Sequence, residues 1–171
     1  MVTVEKKKQQ LLEAHDAFAE PLFRHCYFRV YDREQAKDLV QEAFMRTWEY
    51  MVADGEVENI RAFLYRITHN LVIDHVRRRR PMISLDALQE QGRDLVGETV
   101  ADVHAKVESS EIVELLHKLE EPYRAVVVMR YVDDMHPKEI AAVVGESANV
   151  VSVRIHRAIE KARLLLQQEH A

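Results

Sequence analysis

Residues 138–162 read KEIAAVVGESANVVSVRIHRAIEKA: a short apolar helix, a glycine, then a longer helix with one apolar and one polar edge. No other stretch constrains the chain as tightly. Pro137 suits the first turn of the short helix, with Ile140, Val143 and Val144 turned inward. Gly145 permits the tight turn that lays the next helix across it, and Ser147 caps that helix. Val151, Ile155, Ala158, Ile159 and Ala162 recur at helical spacing and form its apolar edge. The spacing predicts a helix-turn-helix. Facing away from the core are Asn149, Ser152, Val153 and His156, flanked by Arg154, Arg157, Lys161 and Arg163. Glu160 is the only acid between Ser147 and Gln168, a charge balance that favours phosphate over water. In a major groove, the early polar positions of such a helix meet base edges and the later cations meet backbone phosphates. Helical hairpins also occur in proteins that never touch DNA, so spacing alone leaves both readings open.

The remainder of the chain also reads as helices. Ser109 or Ser110 can cap a helix through Leu119, and Pro122 suits the start of another from Tyr123 to about 132. Val126-Val127-Val128-Met129 has the composition of a strand, but its flanks argue for a helix. Near the N-terminus, Leu11, Leu12, Phe18, Leu22, Phe23, Cys26, Tyr27 and Val30 follow a helical period, with Pro21 predicting a kink or break. Asp32 and Gln35 have the spacing of a capping box for a second helix, whose stripe runs Ala36, Leu39, Val40, Ala43, Phe44, Thr47, Trp48 and Met51 to a stop at Gly55. Asn59 caps a third, with Phe63, Leu64, Ile67, Leu71 and Val72 in period until Arg77–Arg80 and Pro81.

Charge divides the chain. The net charge is −5, yet residues 1–80 carry 14 Lys/Arg against 13 Asp/Glu, and residues 121–171 carry 7 against 7. The acid lies between, where residues 81–120 carry 3 against 9. A charged, aromatic-poor stretch containing Gly92 and Gly97 has the character of a solvated linker. The expected fold is all-α: two small helical domains, residues 1–81 and 109–171, joined by an acidic connector over 82–108. A single cysteine, Cys26, cannot form an intramolecular disulfide, and nine histidines without paired cysteines give no zinc pattern. No run approaches the roughly 18 uncharged apolar residues of a membrane span, and no signal peptide follows Lys6-Lys7-Lys8, so a cytoplasmic location without membrane insertion is expected.

The outward faces of the first domain carry information as well. On the second helix Lys37, Asp38, Gln41, Glu42 and Arg46 form one polar ridge. On the third, Arg61, Arg66, His69, Asn70 and Asp74 sit among Phe63 and Tyr65 ahead of the arginine run. Arginines interleaved with aromatics suit a single strand of nucleic acid, because cations pair with phosphates and rings stack on unpaired bases.

Taken together, AKDLVQEAFMRTWEY (36–50), NIRAFLYRITHNLVIDHVRRR (59–79) and EPYRAVVVMRYVDDMHPKEIAAVVGESANVVSVRIHRAIEKAR (121–163) resemble the extracytoplasmic-function sigma factors of bacterial RNA polymerase. The blocks stand in the family's order, with its acidic connector between, and cover nearly the whole chain. The resemblance implies that the first block docks on the clamp of the polymerase largest subunit through Asp38, Gln41, Glu42 and Arg46. It implies that Asn59, Arg61, Phe63, Arg66, His69, Asn70, Arg77 and Arg78 hold the melted −10 strand. The helix-turn-helix would read the −35 element as duplex through Ser147, Asn149, Ser152, Val153, Arg154, His156 and Arg157, with the polymerase flap region as its neighbour. Many relatives have a hydrophobic residue and then Ser-Val-Gly-Thr-Val-Lys-Ser-Arg after the turn glycine. This chain has Glu146 to Arg154 there, with serine at 152 in place of lysine, which leaves the −35 sequence and the strength of duplex contact open.

No nucleophile stands beside a base in any pattern, and there is no glycine-rich phosphate loop or metal set. The expected protein is therefore not an enzyme and needs no cofactor; it lends promoter selectivity to a polymerase. An anti-sigma factor is a further expected class of partner. The alternatives are a stand-alone helix-turn-helix regulator and a module whose arginines serve protein partners.

Overall fold

The computed structural model describes residues 2–79 and 111–171. The predicted 82–108 connector and the Ser109/Ser110 cap lie outside the described residues. Helix α1 (Val4–Val30) opens on Thr3, whose hydroxyl accepts the Lys6 amide, and closes at Tyr31 in the left-handed region, φ 61°. The break predicted at Pro21 does not occur, because α1 runs through it. A proline inside a helix costs about 3 kcal/mol. The turns after it bury Leu22, His25, Cys26 and Arg29, and that burial carries the helix onward.

Helix α2 (Arg33–Val52) begins at Asp32, which accepts from the Gln35 amide at 3.1 Å. It buries Ala36, Leu39, Val40, Ala43, Phe44, Thr47 and Met51, the predicted stripe without Trp48, which is half-buried. Helix α3 (Ile60–Arg79) starts from Asn59, whose Oδ1 accepts the Ala62 amide at 3.0 Å. The expected return bond from the Gln35 side chain is not made; that amide turns to His75 and Arg79 of α3. The three helices form an N-terminal lobe.

The C-terminal lobe comprises α4 (111–118), α5 (Glu121–Val127), a π-helical turn (Val128–Val132), α6 (Pro137–Val144) and α7 (Ala148–Glu169). Among the described residues there is no strand, and Val126–Met129 is helical as its flanks predict. Arg124 ties this lobe together by donating to the carbonyls of Leu116 at 2.7 Å, His117 at 3.0 Å and Leu119 at 2.8 Å, at the C-terminal end of α4.

The lobes are not separate globules. One continuous apolar core runs from Leu22, Cys26, Leu64 and Val72 into Val126, Met129, Met135, Ile140 and Val151. A smaller cluster of Leu116, Leu119 and Val128 is flanked by Phe28 of α1. Periodicity finds the apolar face of each helix but not which faces meet, and here faces of α1 and α3 are shared between lobes.

Candidate nucleic-acid interface

The turn between α2 and α3 positions the first set of predicted residues. Tyr50 lies across Gly55, where a β-carbon would collide with the ring, and its other contact is Phe63, with centroids 4.9 Å apart. Phe63 is half-buried, its ring tilted 33° to that of Tyr50, and its amide donates to the carbonyl of the capping residue Asn59 at 3.0 Å. Arg61 lies over the Tyr65 ring at 5.4 Å and reaches into the other lobe, donating to Glu139 Oε2 at 2.7 Å and to the Asp133 carbonyl at 3.3 Å. Arg66, Asn70, Arg77 and Arg78 are exposed along α3.

His69 differs from the outward position read from the sequence. It is only 7 % exposed, and its Nδ1 accepts from Arg29 Nη1 at 2.9 Å. Burial first, then the nearby Arg29, His25 and Arg154, push its imidazole down to about 2. It shares the buried edge of α3 with Tyr65 and Thr68 rather than the exposed edge with Arg66 and Asn70.

The second set stands on the helix-turn-helix. Pro137 opens α6 behind His136 and Glu139, which form a capping box. Gly145 then turns at φ 74°, a conformation that penalises any β-carbon, and its amide returns to the Ala141 carbonyl at 2.9 Å. Ser147 caps α7 through the Val150 amide at 3.2 Å. From this anchor Asn149, Ser152, Val153, His156 and Arg157 all face solvent. Arg154 is half-buried and gripped by both oxygens of Glu146, at 2.8 and 2.9 Å. Glu146, the residue after the turn glycine, thus orients an arginine.

On α2, Asp38, Gln41 and Arg46 are exposed and Glu42 partly so, with Arg46 Nε donating to Glu42 at 2.8 Å. The ridge is continuous and lies opposite the buried stripe.

A third constellation was missed from sequence. Arg29, fully enclosed, donates to Glu121 through Nε at 3.0 Å and also through Nη2. Its Nη1 lies 3.2 Å from His25 Nε2, and His25 Nδ1 lies 2.7 Å from Asp133 Oδ2. The signal was present: His25 and Arg29 stand three and seven residues after Leu22, on the apolar face of α1. Cys26 beside them is a packing residue, its thiol pushed up to about 12 chiefly by burial. Among the described residues no group of His, Cys, Asp and Glu has the arrangement of a metal site.

Residues 15–81 match the Sigma-70 region 2 family and residues 109–161 match Sigma-70, region 4. The chain is 30 % identical over 161 residues to the ECF RNA polymerase sigma factor SigW of Bacillus subtilis, spanning 89 % of this chain and 86 % of SigW. It belongs to the extracytoplasmic-function (ECF) RNA polymerase sigma factors. The ECF sigma factor SigL of Mycobacterium tuberculosis is 28 % identical over 155 residues, covering 90 % of this chain and 87 % of SigL. Among solved structures, CnrH in complex with the cytosolic domain of CnrY superposes with a TM-score of 0.73 at 24 % identity, over 96 % of this sigma factor and 92 % of that chain. RpoE of Bartonella quintana, in complex with the anti-sigma factor NepR, gives 0.65 at 20 % identity, over 95 % and 98 %. These two likenesses concern the fold. The region 2 match takes in α1 from His15 onward together with α2 and α3, and the region 4 match takes in α4 to α6 and α7 as far as Lys161. As a sigma factor, the protein directs RNA polymerase to promoters.

Proposed function

We propose a division of labour between the lobes. The N-terminal lobe binds core polymerase through Asp38, Gln41, Glu42 and Arg46, and takes the melted −10 strand on Asn59, Arg61, Phe63, Arg66, His69, Asn70, Arg77 and Arg78. The C-terminal lobe reads the −35 duplex through Ser147, Asn149, Ser152, Val153, Arg154, His156 and Arg157. The observation that carries this reading is the exposed, cation-flanked edge of α7, presented by a glycine turn and a serine cap. Phe63 braced by Tyr50 beside Asn59 supplies a fixed aromatic edge for an unstacked base.

The polymerase supplies nucleotidyl transfer, and the sigma factor supplies selectivity rather than chemistry. Two weak contacts become selective when polymerase holds both lobes at a fixed span, since the second contact is then intramolecular. A cytoplasmic location belongs to the same proposal; no described helix is long and apolar enough to cross a membrane. An anti-sigma partner is part of the same proposal, in line with the complex in which the Bartonella relative was solved. Run-off transcription with core polymerase on a promoter library tests the reading. Stimulation confined to a subset of promoters is expected, and no stimulation on any template defeats it.

A further inference from the structure

Arg154 differs from the other arginines of α7. Both oxygens of Glu146 lie on its Nη2, at 2.8 and 2.9 Å, and among the described residues its Nη1 and Nε make no hydrogen bond. Arg157 and Arg163 pair with no carboxylate among the described residues. The pairing is built into the turn. The amides of Gly145 and Glu146 both return to the Ala141 carbonyl, at 2.9 and 3.2 Å, which fixes the backbone that carries the carboxylate. Glu146 also stands just ahead of the Ser147 cap, where the positive end of α7 favours an anion. Arg154 opens, with Asn149, Val153 and Arg157, onto a recess beside Tyr123, so the pair lies on the reading edge itself.

What an arginine can offer DNA follows from the shape of its guanidinium. Its two forks are Nε with Nη2 and Nη1 with Nη2, and either can grip guanine O6 and N7, or two phosphate oxygens, at once. Both forks need Nη2. With that nitrogen turned to Glu146, Arg154 has only single donors left for the duplex, at Nη1 and Nε, and the adjacent carboxylate offsets its charge.

We propose that Glu146 is a specificity-determining residue for the −35 duplex: it withholds the fork of Arg154, so that guanine is not favoured opposite that arginine, and it cancels one cation that would otherwise meet phosphate. The proposal rests on α7 as the −35 reader. Base choice then falls to Asn149, Ser152 and Val153. The side chains of the pair are 24 % and 37 % exposed, and an ion pair so open to water adds little to stability. Its consequence is felt at the DNA rather than in the fold.

The test uses holoenzyme formed from the full chain and core polymerase, with binding followed by fluorescence anisotropy on promoters randomised across the −35 element, over a range of KCl. Glu146→Ala should favour guanine at one position by about tenfold over its wild-type standing there, the gain of one two-donor contact. It should also steepen the log–log salt slope by about 0.9. Glu146→Gln leaves one acceptor and should fall between; it carries the test if circular dichroism shows Glu146→Ala unfolded. Adding Arg154→Ala to Glu146→Ala should abolish both gains. Adding Arg154→Lys instead, which keeps the charge without the fork, should abolish the guanine preference alone. Unchanged ranking and slope in the Glu146 variants overturn the proposal. So do weaker binding to every site, which would make the carboxylate a support for Arg154, and a gain that survives Arg154→Ala. Arg157→Ala separates this from the reading beneath it. A slope flattened by Arg157→Ala with no response to Glu146 strikes the proposal alone, whereas no response to either takes α7 off the duplex and removes both.

Discussion

On α3, Arg61 is held by Glu139 and His69 is enclosed beside Arg29, while on α7 Asn149, Ser152, Val153, His156 and Arg157 face solvent. Both helices carry arginine, histidine and asparagine at helical spacing, and both are proposed to read promoter DNA. They differ in what lies opposite. One edge of α3 faces the other lobe, so Arg61 and His69 serve an internal interface while Arg66, Asn70, Arg77 and Arg78 stay exposed. α7 turns Asn149, Ser152, Val153 and Arg157 to solvent, while Arg154 is held by Glu146, His156 lies 3.3 Å from Glu160 and Lys161 lies 4.9 Å from the Tyr123 ring. Polar spacing on a helix therefore shows that an edge is used without showing by whom.

The largest test of this contrast is Arg29→Met. It removes the buried cation and leaves Glu121 of the C-terminal lobe facing the N-terminal lobe without it, so unfolding in urea should show a loss of about 3 kcal/mol or more. A loss under 1 kcal/mol would mean that the lobes are joined by apolar contacts alone. Gly145→Ala should cost about 1 to 2 kcal/mol through backbone conformation, since no neighbouring atom lies within 4 Å of the added carbon. If hydrogen exchange rises in α7 only, the lobes unfold independently; a rise in α3 as well shows that they share one cooperative core.

Proton linkage sharpens the contrast further. His69 is held down to about 2 by burial, by Arg29 and His25 on α1, and by Arg154 on α7. In the unfolded chain it titrates near the ordinary value of about 6.5. Its contribution to stability is thus complete above that value and falls away as acid is added, by about 1 kcal/mol over the first unit below 6.5. Urea unfolding followed from pH 7.5 to 5.5 should show stability falling in acid for wild type and falling less in His69→Gln.

Local features of the fold were legible because local chemistry sets them. Asn59, Ser147, Pro137 and Gly145 start and stop helices through bonds within four residues, and all act as read. The ridge on α2 and the polar edge of α7 were legible for the same reason, since each lies opposite an apolar stripe on its own helix. Pro21 does not break α1 because the packing that carries the helix past it comes from residues distant in sequence. The buried polar cluster was invisible for that reason too: Arg29 meets Glu121 at a separation of 92 residues and His25 meets Asp133 at 108. His69 is the informative failure. Its neighbours Arg66 and Asn70 are exposed as expected, and one step around α3 the surface becomes interior because the other lobe covers it.

The smallest expected effects on stability belong to α7, where the DNA readout should be the largest relative change. Arg157→Ala and Asn149→Ala remove exposed side chains that make no hydrogen bond within the fold, so each should shift stability by no more than about 0.5 kcal/mol. Their effects on promoter binding by the polymerase complex should diverge. An arginine on a phosphate contributes charge irrespective of sequence, so Arg157→Ala should weaken binding to all −35 variants and flatten the log–log salt dependence by about 0.9. An asparagine on a base edge contributes little charge, so Asn149→Ala should leave that slope unchanged and alter the ranking of −35 sequences. Equal losses on every sequence from both substitutions would place Asn149 off the bases, and an unchanged slope in Arg157→Ala would place that cation off the backbone. Either result would return the exposed edge of α7 to the condition of α3, a polar surface whose partner is protein.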